Sequence, residues 1–184
     1  MIRKFIHMVL WGMIIFGIVL MLSFVGKKHE ETVCMEFELS IQNESDDALT
    51  SAPELRELII KTTDSLVGKR LGEIDHYHIH RVLKSNPYIS SSRVQTSLDG
   101  KLMVGVTLRE PIVRIIGMEG RSCYIDQDGW IMPVNPGFPA RVLIANGYIS
   151  DDVNKLKDKA IHIDSLQESA EIRNIYRLAG QIGG

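Results

Sequence analysis

The chain has 184 residues, of which 21 are Lys or Arg and 23 are Asp or Glu, for a formal net charge of −2. That leaves room for one domain or two small ones and gives no basic surplus with which to hold nucleic acid. Two cysteines, Cys34 and Cys123, are too few for a disulfide framework or a zinc ribbon, so two separate thiols are expected.

Phe5 to Val25 carries no formal charge, and a helix needs about 20 apolar residues to cross a bilayer. A cleaved signal peptide has a shorter apolar region, of about 7–15 residues, and a small-x-small cleavage site, which is missing after Val25. The stretch is therefore expected to be an uncleaved transmembrane anchor. Arg3 and Lys4 before it nearly balance Lys27 and Lys28 after it. The free amino terminus and a tail too short to fold favour a cytoplasmic N-terminus at residues 1–4, with everything from Lys27 onward translocated.

Residues 26–32 read as a charged spacer. Val33, Met35, Phe37, Leu39 and Ile41 then alternate with Cys34, Glu36, Glu38 and Ser40, which predicts a half-buried strand. Asn43 to Thr50 is a polar loop. Ser51 with Glu54 fits a capping box, and Leu55, Leu58, Ile59 and Leu66 form the stripe of a helix that Gly68 ends. Asp75 is placed to cap a second helix, with Ile74 and Ile79 as its hydrophobic staple, and Asn86-Pro87 stops it.

Two alternating strands follow, Val94 to Leu98 and Leu102 to Leu108, joined by Asp99-Gly100 in what predicts a two-residue type I′ hairpin. Pro111 cannot donate to a ladder, so Arg109-Glu110-Pro111 is read as a domain junction. The order strand, helix, helix, strand, strand makes 33–110 a small α+β domain. Residues 111–184 change character, to short strands at Ile112–Ile116, Cys123–Ile125 and Trp130–Val134, and a buried-looking one at Val142–Ala145. Asp151 to His162 is charged and weakly patterned. Ser165 with Glu168 again fits a capping box, ahead of Ile172, Ile175, Tyr176 and Ala179 at helical spacing. The strands of this region have few evident partners, so it reads as a partial β domain, with the chain incomplete after Gly184.

Chemistry is sparse. His76, His78 and His80 are the only metal-like cluster; at helical spacing His76 and His80 share a face that His78 leaves, and a polar first turn of a surface helix is the expectation. Asp126-Gln127-Asp128-Gly129 starts like a calcium loop, but its glycines fall at the wrong positions, so a hairpin turn fits better. Asn43-Glu44-Ser45 is a glycosylation sequon, of consequence only in a eukaryotic host. No phosphate loop, nucleophile elbow or carboxylate pair is present. No catalytic, metal or cofactor residues are therefore assigned, and the translocated part is expected to act by binding, with an unpaired strand edge as the surface.

Several local motifs carry a family resemblance: Asn86-Pro87-Tyr88-Ile89, Asp99-Gly100-Lys101-Leu102, Arg109-Glu110-Pro111-Ile112, Tyr124-Ile125-Asp126, Gly129, Met132-Pro133 and Arg141 to Gly147. With the anchor and the element order, they resemble the FtsQ/DivIB cell-division proteins of Bacteroidota-type bacteria. The resemblance implies a POTRA module in the first domain and a bitopic inner-membrane protein at the septum, with the N-terminus cytoplasmic. It also implies a scaffold that joins FtsB and FtsL, without enzymatic activity or a small-molecule substrate. In such modules the third strand is central, which leaves the second at an edge with Arg93, Gln95 and Ser97 turned outward as candidate partner-binding residues. The family's contact with FtsB lies on late strands that would follow Gly184. Another membrane-anchored POTRA protein handling exported polypeptides stays open beside this reading, and more remotely a metal enzyme using the histidines.

Overall fold

The computed structural model describes residues 2–30, 32–43, 45, 47–63, 66–97, 99–118, 120–149, 159–166 and 170–182. It begins with a long helix, α1 (Ile2–Glu30), uninterrupted by proline and exposed at every position from 6 to 22. Among the described residues no helix is long and apolar enough to cross a membrane. The expected span has its two ends, Phe5 and 23–25, outside the described side chains.

β1 (Glu36–Ile41), α2 (Ala52–Thr63), α3 (His76–Ser85), β2 (Ile89–Thr96) and β3 (Lys101–Leu108) form the first unit, in the expected order. Its sheet runs β1-β3-β2, with β3 parallel to β1 and antiparallel to β2. Leu102, Val104, Val106 and Leu108 alternate inward and bury themselves against Leu55 and Ile59 of α2 and Ile79 and Leu83 of α3. Each such burial contributes about 1.5–3 kcal/mol against chain entropy. α3 starts where the spacing places it: Asp75 Oδ1 accepts from the His78 N–H at 2.8 Å, and Ile74 and Ile79 are both buried. The Ser51 cap is weak, at 3.5 Å from the Glu54 N–H, while the Glu54 carboxylate takes the Thr50 hydroxyl instead. α2 stops at Thr63, short of Gly68, with the Thr62 and Thr63 hydroxyls donating back to the carbonyls of Leu58 and Ile59.

The first strand begins later than its alternation suggests. Val33 bridges Arg70, and Cys34 exchanges backbone bonds with Lys69 and Gly68, so this segment pairs with a turn before β1 joins the sheet. The phase slips there: Cys34 is fully buried, whereas Met35, expected inside, is 71% exposed. The β2–β3 connection also differs from a two-residue turn. Ser97 N donates to Lys101 O and Gly100 N to Ser97 O, which makes it a three-residue loop with Gly100 at φ 88°. Glycine is required twice over, because a Cβ on Gly100 would lie 2.8 Å from the Val33 carbonyl oxygen.

β4 (Pro111–Ile116), β5 (Ser122–Asp126), β6 (Trp130–Pro133), β7 (Leu143–Asn146), β8 (Ile161–His162) and α4 (Ala170–Ile182) make the second unit. The strands do find partners, in a five-stranded sheet of order β7-β4-β5-β6-β8 in which β7 returns to pair parallel with β4. Val113, Ile115, Cys123, Ile125 and Ile131 pack on Ile172 and Ala179 of α4. The strand expected to be buried is the edge β7, with Leu143 41% and Ile144 65% exposed. Ser165 lies in a 3-10 turn, Ile163–Ser165, rather than at the cap of α4; Glu168 and 151–158 lie outside the described residues.

Candidate interaction site

Strand addition needs backbone N–H and C=O groups left unpaired at a sheet edge. In the first sheet the edges are β1 and β2. β1 is obstructed. Gln42 N donates to Val106 O at 2.9 Å, which by alternation turns the Phe37 carbonyl outward. Arg56 Nη2 donates to that carbonyl at 2.6 Å, with its guanidinium 5.3 Å over the Phe37 ring.

β2 is different. Pairing of Ser97 with Lys101 directs the backbones of Gln95 and Arg93 toward β3 and those of Ser92 and Val94 away from it. The side chains of Arg93 and Gln95 are exposed on the outer face, across from Gly105 and Met103. Ser92 is on the helix side, its hydroxyl 2.8 Å from His80 Nδ1. Ser97, the third of the expected residues, lies just beyond the end of β2, half-buried, with its backbone engaged in the hairpin. β2 thus presents the residues Arg93 and Gln95 beside an open backbone edge.

The motif residues assemble at the junction of the two units. Asn86 Oδ1 accepts from Tyr88 N, and Tyr88 O accepts from Arg109 N at 2.9 Å, which ties the end of α3 to the exit of β3. Arg109 reaches Asp126 at 2.9 Å and stacks 4.4 Å over Trp130. Asp126 Oδ1 takes the Asp128 and Trp130 amides at 3.0 and 2.7 Å, which with Gly129 at φ 83° shapes the β5–β6 turn as a hairpin and not a calcium loop. Burial lifts the Asp126 carboxyl above the usual carboxylate range, since lost hydration outweighs the Trp130 amide and Arg109, which pull it down. Pro111 is opposite Asp126, and Pro133 is opposite Cys123.

Glu110 completes the seam by accepting from Asn43 Nδ2 at 2.9 Å and Gln127 Nε2 at 2.8 Å. Asn43 also pairs with Leu108 like a strand residue, donating from Nδ2 to its carbonyl at 2.9 Å and accepting its N–H on Oδ1 at 2.8 Å. An amide so engaged is not a free sequon. From the same loop Leu49 is fully buried in a cluster with Tyr124 and Met132 of the second unit, packed by Tyr88, and its carbonyl takes Asn135 Nδ2. The reading of 43–50 as a mere loop missed this; its signal is the apolar pair Ala48-Leu49 within an otherwise polar stretch.

His76 and His80 lie beside β2, while His78 lines a separate cavity with Thr62, Lys69 and Asp75. Among the described residues no group of three His, Cys, Asp or Glu is arranged to hold a metal. Cys34 and Cys123 are free thiols in different cores, and burial pushes Cys123 up to about 12.

The arrangement is that of a two-unit α+β protein whose polar motif residues build a seam between the units, and whose first sheet leaves its β2 edge open. A family model for a POTRA-like domain matches residues 32–107, and one described as FtsQ/DivIB, C-terminal related matches residues 110–182; the boundary between them falls at the Arg109 seam. No curated protein matches the chain. The chain belongs to the FtsQ/DivIB family, and as such is a cell-division protein.

Proposed function

We propose that this protein is a non-enzymatic scaffold of the division machinery, held in the inner membrane by a single span at 5–25, with residues 1–4 cytoplasmic. A spacer at 26–32, the POTRA domain at 33–110 and the β domain at 111–184 stand in the periplasm at the septum. It links early and late division proteins, FtsB and FtsL among them, by protein–protein contacts. The observation that carries this reading is the succession of a charge-free apolar stretch, the POTRA-like unit and the FtsQ/DivIB-related unit in one chain. The β2 edge, with Arg93 and Gln95 flanking outward-turned backbone, supports docking of a partner by strand addition. Ser97 belongs to the end of that surface only through the hairpin.

Depletion of the protein should give filamentous cells, and a fluorescent fusion should gather at mid-cell. A diffuse fusion in cells that divide normally would rule the reading out.

A further inference from the structure

The groove between α3 and β2 has a chemical character of its own. His76, His80 and Lys84 follow one another at i, i+4 and i+8, one per turn along the same side of α3. The groove is two separate hollows: His76 lines a shallow one with Val94 to Ser97 and Met103, and His80 and Lys84 line another beside Ile89 to Ser92. The stripe therefore runs the length of the edge whose backbone Ser92 and Val94 turn outward. On the opposite face of the same strand stands Arg93.

Neither Lys84 nor Arg93 forms a salt bridge among the described residues, and no carboxylate lines either part of the groove. His76 Nε2 is shut off from water without a hydrogen-bond partner there. The neighbouring carboxylates are otherwise committed. Asp75 caps α3 through His78 N, and Asp99 at the hairpin is held below the usual range by the Ser97 hydroxyl. Glu36 of β1 pairs with Lys101 of β3, and Glu38 is on the same far strand as Glu36. A strand added beside β2 would stand three strand spacings from β1, about 14 Å. That exceeds the roughly 8 Å over which exposed charges act at physiological salt.

We infer that the β2 edge selects an extended, acid-rich segment of a partner protein. Its backbone pairs with Ser92 and Val94, and its carboxylates at alternating positions meet Lys84, at the end of the His76–His80–Lys84 stripe, on one face and Arg93 on the other. This rests on the reading of β2 as a docking edge. The added strand alternates its side chains between the two faces, and each face offers an exposed cation, Lys84 on the helix side and Arg93 on the other. A neutral strand would gain the backbone bonds but leave those charges unanswered.

The test uses the full chain in detergent micelles and three synthetic nonapeptides, alternating Val with Glu, Gln or Lys. Affinity is read by fluorescence anisotropy, and docking by hydrogen-exchange protection of the Ser92 and Val94 amides. The Glu peptide should bind about tenfold more tightly than the Gln peptide at low salt, with the advantage fading toward about 0.5 M salt. It should protect both amides, and a Lys84→Gln, Arg93→Gln chain with unchanged thermal stability should bring the two peptides to parity. Equal binding and equal protection by Glu and Gln peptides would overturn the acidic selectivity while leaving strand docking in place. Protection by none of the three would overturn the docking edge and the selectivity together. Protection that rises with protein concentration in the absence of peptide would assign the edge to a second copy of the chain and overturn the inference.

Discussion

Arg109 and Asp126, 17 residues apart in sequence, meet at 2.9 Å with side chains only 9% and 1% exposed. An ion pair so enclosed adds little net stability, because both charges have lost their water, but half of one is costly. Asp126→Asn should lower unfolding free energy by about 3–5 kcal/mol in urea titrations, and adding Arg109→Met should restore part of it. Because the folded carboxyl titrates above its ordinary value of 3.8, its contribution is fully present below that pH and is lost as pH rises through the folded value. Asp126→Asn should remove this component of the pH profile; a double-mutant coupling near zero would show that the pair is not a unit.

Among the described residues, Leu49 is the apolar anchor that the loop after β1 sends into the second unit. Leu49→Ala should cost about 2–5 kcal/mol. The loss falls between the units rather than within either core, so calorimetry should resolve the single unfolding transition into two. A single transition merely shifted down would place Leu49 in an ordinary core role.

Arg56 closes the β1 edge by occupying the Phe37 carbonyl. Arg56→Ala should leave the fold intact, at a cost of about 1–2 kcal/mol for the lost charge-assisted bond and stacking. It should also raise self-association in sedimentation velocity, as an exposed edge does. An unchanged monomer would mean that something else guards β1.

Val94→Pro separates docking from folding. The Val94 N–H points away from β3, so proline removes no ladder bond there and is tolerated as edge prolines are. Thermal stability should fall by only a few degrees while mid-cell recruitment of the fusion's partners is lost. Normal recruitment would exclude β2 as the docking edge.

Cys123 is pushed up to about 12 by burial and Cys34 is likewise raised, burial outweighing the Glu36 and Leu102 backbone contacts that lower it. Near pH 8, close to the ordinary thiol value of about 8.5, neither should react with a maleimide faster than the protein unfolds. Rapid labelling of one thiol in folded protein would show a local opening at its core.

Much of this architecture is written in short-range pattern. Leu102 to Leu108 alternate because β3 is central and covered on one face, and Asp75 caps α3 with a bond that spans three residues. What escaped depends on residues distant in sequence. The slip at Met35 arises from pairing of Val33 and Cys34 with 68–70, and the parallel return of β7 to β4 has no local signature. Asn43 and Leu49 look like loop residues until Glu110, Leu108 and Tyr124 are brought up to them. Arg93 and Gln95 are legible as outward residues, but the closure of β1 by Arg56, which leaves β2 as the open edge of that sheet, is visible only in three dimensions.

The parallel alignment of β1 and β3 carries a mechanical meaning. β1 enters the sheet from the side of α1, and β3 leaves it directly into β4. Tension between the N-terminal end of β1 and the C-terminal end of β3 therefore pulls two side-by-side parallel strands lengthwise past each other. All six register pairs from Glu36–Lys101 to Ile41–Val106 bear that load together instead of opening one at a time. A chain stretched between its first helix and its second unit would hold as a lap joint holds, in shear, with β3 as the shaft that passes the load on to β4.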